Sequence, residues 1–325
     1  MQENIKELLY SGSETNVELA IHLMESQGIA FDLDAHQRLV DWYFMTTEEA
    51  KPATIYGQLA NALGIERMRV MNRKMTWVPK EISLLSTIKY FYASYNEIKE
   101  LPESVGQLKE LIHLIVYNNQ LESIPESIGQ LRKLLKIGFN YNKIGTIPES
   151  IIDLVQLEDL DVAHNRIERI PGKIGNLLEL KELMINDNRI RKLPDSIGKL
   201  KKCKALYVGQ NCLTEIPASI GEMKSLFDIE FSDNQISRLP DSFCQLTEIE
   251  YLFLNKNKLT DLPENIGQLK KLKELFLDDN ELRTLPRSFF ELTNLHLLSL
   301  SGNPLSEGMK EHLKAQFEPQ TRLVL

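Results

Sequence analysis

The chain has 325 residues, 42% of them hydrophobic, and a net charge of −8. That acidic balance excludes the broad basic face demanded by nucleic-acid phosphates and leaves a basic partner, or solubility alone, as its meaning. No run of about 18 apolar residues is present to span a membrane, and the N-terminal MQENIKELLYSG lacks the basic and apolar stretches of a secretory signal.

Residues 1–64 carry no repeat. Apolar spacing predicts helices over residues 4–10, 16–27 and 34–45, with Ser13 or Thr15 capping the second. Lys51-Pro52 breaks the chain, and residues 54–63 predict a fourth helix. This segment is expected to be a helical cap domain hiding the apolar edge of the chain beyond residue 64, with a separate binding domain as the alternative.

Beyond residue 64 the sequence is periodic. Asn recurs at 96, 119, 142, 165, 188, 211, 234, 257, 280 and 303, and Pro at 79, 102, 125, 148, 171, 194, 217, 240, 263 and 286. A fixed period of 23 residues marks a solenoid, in which each turn buries its apolar side on its neighbours. One turn reads Leu111-x-x-Leu114-x-Val116-x-x-Asn119-x-Leu121-x-x-Ile124-Pro125-x-x-Ile128-Gly129-x-Leu131. The alternation of Leu114 and Val116 predicts a short strand buried on one side. Asn119 offers donors and an acceptor to backbone groups left over where the chain turns inward, so the Asn residues are expected to form a ladder. Pro125 is expected at the first position of an outer helical turn, where its fixed φ fits and its missing N–H is not needed.

The register extends one turn back. Ile65, Met68, Val70, Met75, Val78 and Pro79 fit it, but Arg73 occupies the Asn position. About eleven strands are therefore expected, the first with an unusual loop. At the other end Asn303-Pro304-Leu305 closes the array. Residues 306–317 predict a helix capped by Ser306, and the alternation over residues 321–325 stands where a twelfth strand would fall. Residues 306–325 are thus expected to cap the last sheet edge.

The pattern LxxLxLxxNxL followed by xx(L/I)PxxIGxL resembles the leucine-rich repeat family. Its 23-residue period is similar to the ras-suppressor or scribble type, and the leading NIKELLYSGSETNVELAIHLMESQGI is similar to leaders of some bacterial repeat proteins. The resemblance covers residues 65–305. It implies an α/β solenoid: a horseshoe or arc with parallel strands on the concave face, helical or 3-10 turns outside, and a cap at each end.

Positions six, four, two and one before each Asn are expected to face out of the concave side, free of packing duty. At the N-terminal end they hold Tyr90, Tyr92, Tyr95, His113, Ile115, Tyr117 and Tyr141. Parallel strands lie about 4.8 Å apart, so these rings are expected to form one patch, of the kind that anchors a partner or packs beneath the helices. The middle is acidic, with Asp159, Asp161, Glu182, Asp228 and Glu230, extended by Asp187, Asp233, Glu274, Asp278 and Asp279, against Lys136 and Lys256. Asp159 and Glu182 should be side by side. Like charges so placed are destabilising, which points to a basic partner; a merely solvated face is the alternative. Tyr207, Tyr251, Phe253 and Phe276 then bring apolar groups back. Such a strip fits a protein or peptide carrying basic residues between apolar anchors, and a homodimer through the same face is the main rival.

No GxxxxGK(S/T), GxGxxG, HExxH or GxSxG motif occurs. The six His are scattered. Cys203 falls on a Leu position of the repeat and Cys212 and Cys244 on variable or Gly positions, with no metal spacing. Asp159, Asp161 and Glu182 lack the spacing of a calcium loop. No cofactor or metal is expected, and carboxylates on an open, wet surface lack the burial that tunes catalysis. The expected function is a non-enzymatic protein-interaction module acting through its concave face. A structural or self-associating protein is the alternative, and an exported bacterial effector a further one. Cysteine usage and the missing signal point to the cytoplasm, with non-classical export left open.

Overall fold

Each period of the sequence becomes a three-residue strand, an inward turn and an outer 3-10 turn in the structure, a computed structural model that describes residues 2–47, 49–318 and 320–325. The chain forms two units, Met1–Lys143 and Ile144–Leu325. Each is a stretch of α/β solenoid whose strands follow one another in sequence order.

The first unit opens with four helices, α1 (Gln2–Leu9), α2 (Glu14–Ser26), α3 (Leu33–Thr46) and α4 (Ile55–Leu63). Their starts reflect local chemistry. Asp32 accepts from the Ala35 N–H at 2.8 Å and Thr54 Oγ1 from the Gly57 N–H at 3.0 Å, each satisfying a donor that the first helical turn leaves orphaned. Ser13 holds the cap position of α2 but makes no side-chain cap bond. Val17, Leu39, Val40, Tyr43, Leu59 and Leu63 close a core between the helices. Four strands come next: β1 (Arg67–Arg69), β2 (Tyr90–Tyr92), β3 (His113–Ile115) and β4 (Lys136–Gly138). They pair in parallel, one period apart, as in Arg67↔Tyr90↔His113↔Lys136.

The helices are tied to the first turn of the array. Thr87 Oγ1 lies 2.9 Å from the Leu63 and Ile65 carbonyls, and Arg38 Nε donates to Glu81 Oε1 at 2.8 Å. Burial pushes the Glu81 carboxyl up, but the Arg38 guanidinium and a backbone N–H outweigh it and hold it below the ordinary glutamate value. A lowered carboxylate stabilises the fold above its unfolded pKa, and that contribution is lost as pH falls through the folded one. Glu81→Gln is therefore expected to loosen α3 at neutral pH by about 1 kcal/mol, since Arg38 is half-exposed. The parent should lose the same protection on acidification below the ordinary glutamate range. Hydrogen exchange of α3 amides against pH checks both; equal protection in the two proteins at neutral pH would remove any role for the pair.

The Asn ladder is present. Asn119 Oδ1 accepts from the Ile98 N–H at 3.0 Å, and its Nδ2 faces the Ala93, Val116 and Tyr117 carbonyls at 2.9, 3.2 and 3.2 Å. Each Asn thus reaches back one period to close the preceding turn. That explains Arg73: among the described residues helices, not a strand, precede β1, so an Asn there would have no earlier turn of the array to close. The Arg73 loop is itself held from below, by Asn96 Oδ1 at 2.8 Å from Arg73 N and 3.1 Å from Met75 N. Its departure from the other loops is a second left-handed residue, Lys74 (φ 56°), after Asn72 (φ 57°).

Pro falls one place outside its expected position. Pro125 is extended (φ −65°, ψ 143°), immediately before the 3-10 turn Glu126–Gln130, and its carbonyl accepts the first bond of that turn from Ile128 N at 3.0 Å. At Pro171 and Pro263 the 3-10 turn is shorter, Ile174–Asn176 and Ile266–Gln268. The glycine in this turn lets neighbouring periods touch: a Cβ on Gly198 would lie 2.3 Å from the Ser219 carbonyl oxygen.

The second unit continues with β5 (Asp159–Asp161), β6 (Glu182–Met184), β7 (Ala205–Tyr207), β8 (Asp228–Glu230), β9 (Tyr251–Phe253), β10 (Glu274–Phe276) and β11 (Leu297–Ser299). Helix α5 (Glu307–Phe317) starts at Ser306, whose hydroxyl accepts from the Met309 N–H at 3.3 Å. Phe317 packs edge-on to Phe289, with centroids 5.9 Å apart. Strand β12 (Arg322–Val324) then pairs with β11, Leu297↔Arg322. A three-residue edge strand with an exposed arginine is a poor template for further pairing.

Candidate functional site

In each of β1–β11 the middle residue is buried and its neighbours face outward. The flanking residues therefore form two columns on the strand face, with successive members in direct register.

In the first unit these columns hold an ordered aromatic group. Tyr90 and Tyr92 are parallel with centroids 6.4 Å apart, and His113 stands edge-on to Tyr90 at 5.1 Å. Tyr92 Oη lies 3.2 Å from His113 Nδ1. Tyr95, Tyr117 and Tyr141 do not belong to the strands, contrary to expectation. They lie past the ends of β2, β3 and β4, in the turn before each Asn, and Tyr95 and Tyr141 have φ of 57° and 54°. A left-handed residue stands before each Asn from Asn96 to Asn280, because the chain must reverse there to send the amide inward. Tyr95 meets Tyr117 edge-on at 4.9 Å, so the rings form two groups: Tyr90, Tyr92 and His113 on the strands, and Tyr95 with Tyr117 at the turns. The hydrogen bond with Tyr95, then burial, raises the Tyr117 hydroxyl above the ordinary tyrosine value.

The sequence reading missed two members of these columns. Arg67 and Arg69 stand six and four places before Arg73, and the same offsets would have found them had the irregular first turn been treated like the others. Both are exposed, with guanidinium carbons 4.7 Å from the Tyr90 centroid and 5.8 Å from the Tyr92 centroid. Those distances are in the cation–π range.

In the second unit the columns are acidic and then aromatic. Asp159 is in register with Glu182. Tyr207 Oη donates to Asp228 Oδ2 at 2.6 Å, while Asp228 Oδ1 is buried with no hydrogen-bond partner among the described residues. Burial first, then the bond to Asp228 and the charges of Glu182 and Glu230, raise the Tyr207 hydroxyl well above the ordinary value. Phe253 and Phe276 stack at 4.8 Å and 11°, next to Glu230 and Tyr251. Some of these acids carry packing duty that the sequence reading did not assign. Asp161 accepts from the Ala163 N–H at 3.1 Å, and Glu230 from Ser232 Oγ at 2.9 Å. The position two before Asn is likewise not free throughout: Ser94, Ala163, Gly209 and Ser232 are buried there.

Among the described residues no group of His, Cys, Asp and Glu is arranged to hold a metal ion, and no helix is long and apolar enough to cross a membrane. Cys203 and Cys244 are buried, which pushes their thiols up to about 12 and about 11.

A family model described as a leucine-rich repeat region matches residues 61–166 and 147–239, and one described as a leucine-rich repeat matches residues 215–317. Among solved structures, a leucine-rich repeat protein of Leptospira interrogans is 32% identical over 82% of this chain and 68% of its own, with a TM-score of 0.77. A TDR receptor is 28% identical over 80% of this chain and 46% of its own, with a TM-score of 0.71. The plant peptide hormone receptor RGFR1, solved in complex with RGF2, is 27% identical over 76% of this chain and 41% of its own, with a TM-score of 0.68. This chain thus spans less than half the length of either receptor. No curated protein matches the sequence.

Proposed function

The chain belongs to the leucine-rich repeat family, and from that premise we propose that it is a non-enzymatic interaction module whose strand face binds a protein or peptide carrying basic residues. The observation that carries this is the acidic strand face of the second unit. Many acids of the array are neutralised from one period to the next: Lys181 meets Glu158 at 2.7 Å, Lys271 meets Glu248 at 2.6 Å, and in the turns beside the strands His164 meets Asp187 at 2.6 Å and Lys256 meets Asp233 at 3.6 Å. The strand face nevertheless sets two carboxylates in direct register, Asp159 and Glu182, and holds Asp228 Oδ1 buried without a hydrogen-bond partner among the described residues. Like charges in register are destabilising, and a cationic partner removes that penalty while gaining association rate and specificity. The stacked Phe253 and Phe276 next to these acids supply an apolar anchor. The complex of the RGFR1 relative with RGF2 supports the use of this fold for a peptide.

The test is binding of a partner captured from the native host. Joint reversal of Asp161, Glu182 and Glu230 to Lys is expected to weaken it about a hundredfold or more, and Phe253→Ala about tenfold. Calorimetry on the purified pair reads both. A partner that binds both variants as tightly as the parent sinks the proposal.

A further inference from the structure

Charge on the strand face is segregated by unit. In the first unit, the outward residues of β1–β4 are Arg67, Arg69, Tyr90, Tyr92, His113, Ile115, Lys136 and Gly138, with no carboxylate among them. The outward residues of β5–β11 include Asp159, Asp161, Glu182, Asp228, Glu230 and Glu274, with no lysine or arginine. Neither pattern is imposed by the fold, whose framework residues lie elsewhere in the period. Arg67 and Arg69 have no carboxylate at ion-pair distance among the described residues, and a cation–π contact consumes none of their N–H donors. Rings beneath a guanidinium restrict its rotamers, so less ordering entropy is lost when an anion arrives.

We propose that the occupant of the acidic face is a second copy of this chain, docked by the first-unit face that carries Arg67, Arg69 and the Tyr90–Tyr92 pair. The inference rests on the acidic face being an interface and names its partner. The acids call for cations and the arginines for an anion, and each unit of this chain carries what the other calls for. A second copy answers both. Tyrosines flanking the arginines and Phe253 with Phe276 flanking the acids give the two faces matching apolar content.

Sedimentation of the full chain over a wide concentration range, at low and high salt, tests this. The parent is expected to self-associate, more weakly at high salt as screening shortens the reach of these charges. Arg67→Glu with Arg69→Glu, and separately Glu182→Lys with Glu230→Lys, should each weaken self-association at least about tenfold. Mixing the two variants should restore association as a hetero-pair, since each then offers the charge the other lacks; restoration also shows that both are folded. A parent that stays monomeric throughout, or an association indifferent to both charge changes, overturns the inference. A monomeric parent that still binds an oligolysine probe through Glu182 and Glu230 overturns the second copy alone. One that neither self-associates nor binds the probe removes the acidic interface as well.

Discussion

Asn188→Ala is expected to lower the stability of the second unit by about 3 kcal/mol, as the sum of a few buried polar groups left without partners. Asn188 Oδ1 accepts from Ile167 N at 2.9 Å, and Nδ2 faces the Val162 and Ile185 carbonyls, both at 3.1 Å. The site is buried, so water does not replace these bonds. Asn188→Asp should not rescue the loss at neutral pH. Its carboxylate keeps the acceptor for Ile167 but turns a second negative oxygen toward two carbonyls. Acidification should recover part of the difference, because a protonated carboxyl can donate one bond. Urea unfolding followed by circular dichroism reads the midpoint. An alanine variant with the parent's midpoint would show that the ladder is decoration. Because coupling in a solenoid runs between neighbours, a defect this deep should also broaden or split the transition.

Legibility in the sequence obeys the same logic. Framework residues recur because each turn meets identical neighbours, so Asn119, Val116 and Ile128 could be placed without coordinates. The four helices were legible from apolar spacing but their caps were not: Ser13 makes no cap bond, while Asp32 and Thr54 do. Two further things were not. Left-handed backbone at Tyr95, Tyr141 and Gln210 leaves no residue signature, because the Asn pull after it overrides the usual preference for Gly, Asn or Asp. The basic face was hidden by the loss of Asn at Arg73: the residue from which the offsets are counted disappears in the turn that follows helices instead of another strand. Buried contacts beneath Asp161 and Glu230 also escaped, since they join neighbours two residues away in a conformation known only from the fold.

Phe231→Ala and Phe253→Ala make the division between framework and face measurable. Phe231 stands three places before Asn234 and is fully buried, as are Ile229 and Leu254. Truncating it should cost about 3–5 kcal/mol, the transfer of the ring plus the cavity left in a core that relaxes only partly. Phe253 stands four places before Asn257, points outward and touches Phe276. Its loss should cost no more than about 1.5 kcal/mol of stability, the scale of one aromatic pair, while removing the anchor of the strand face. Thermal unfolding and self-association measured on both variants separate the two roles. Phe231→Ala should lower the melting temperature by several degrees and, below that temperature, leave association intact; Phe253→Ala should do the reverse. If both changes lower stability equally, the outward phenylalanines belong to the core, and the strand face loses its apolar anchor.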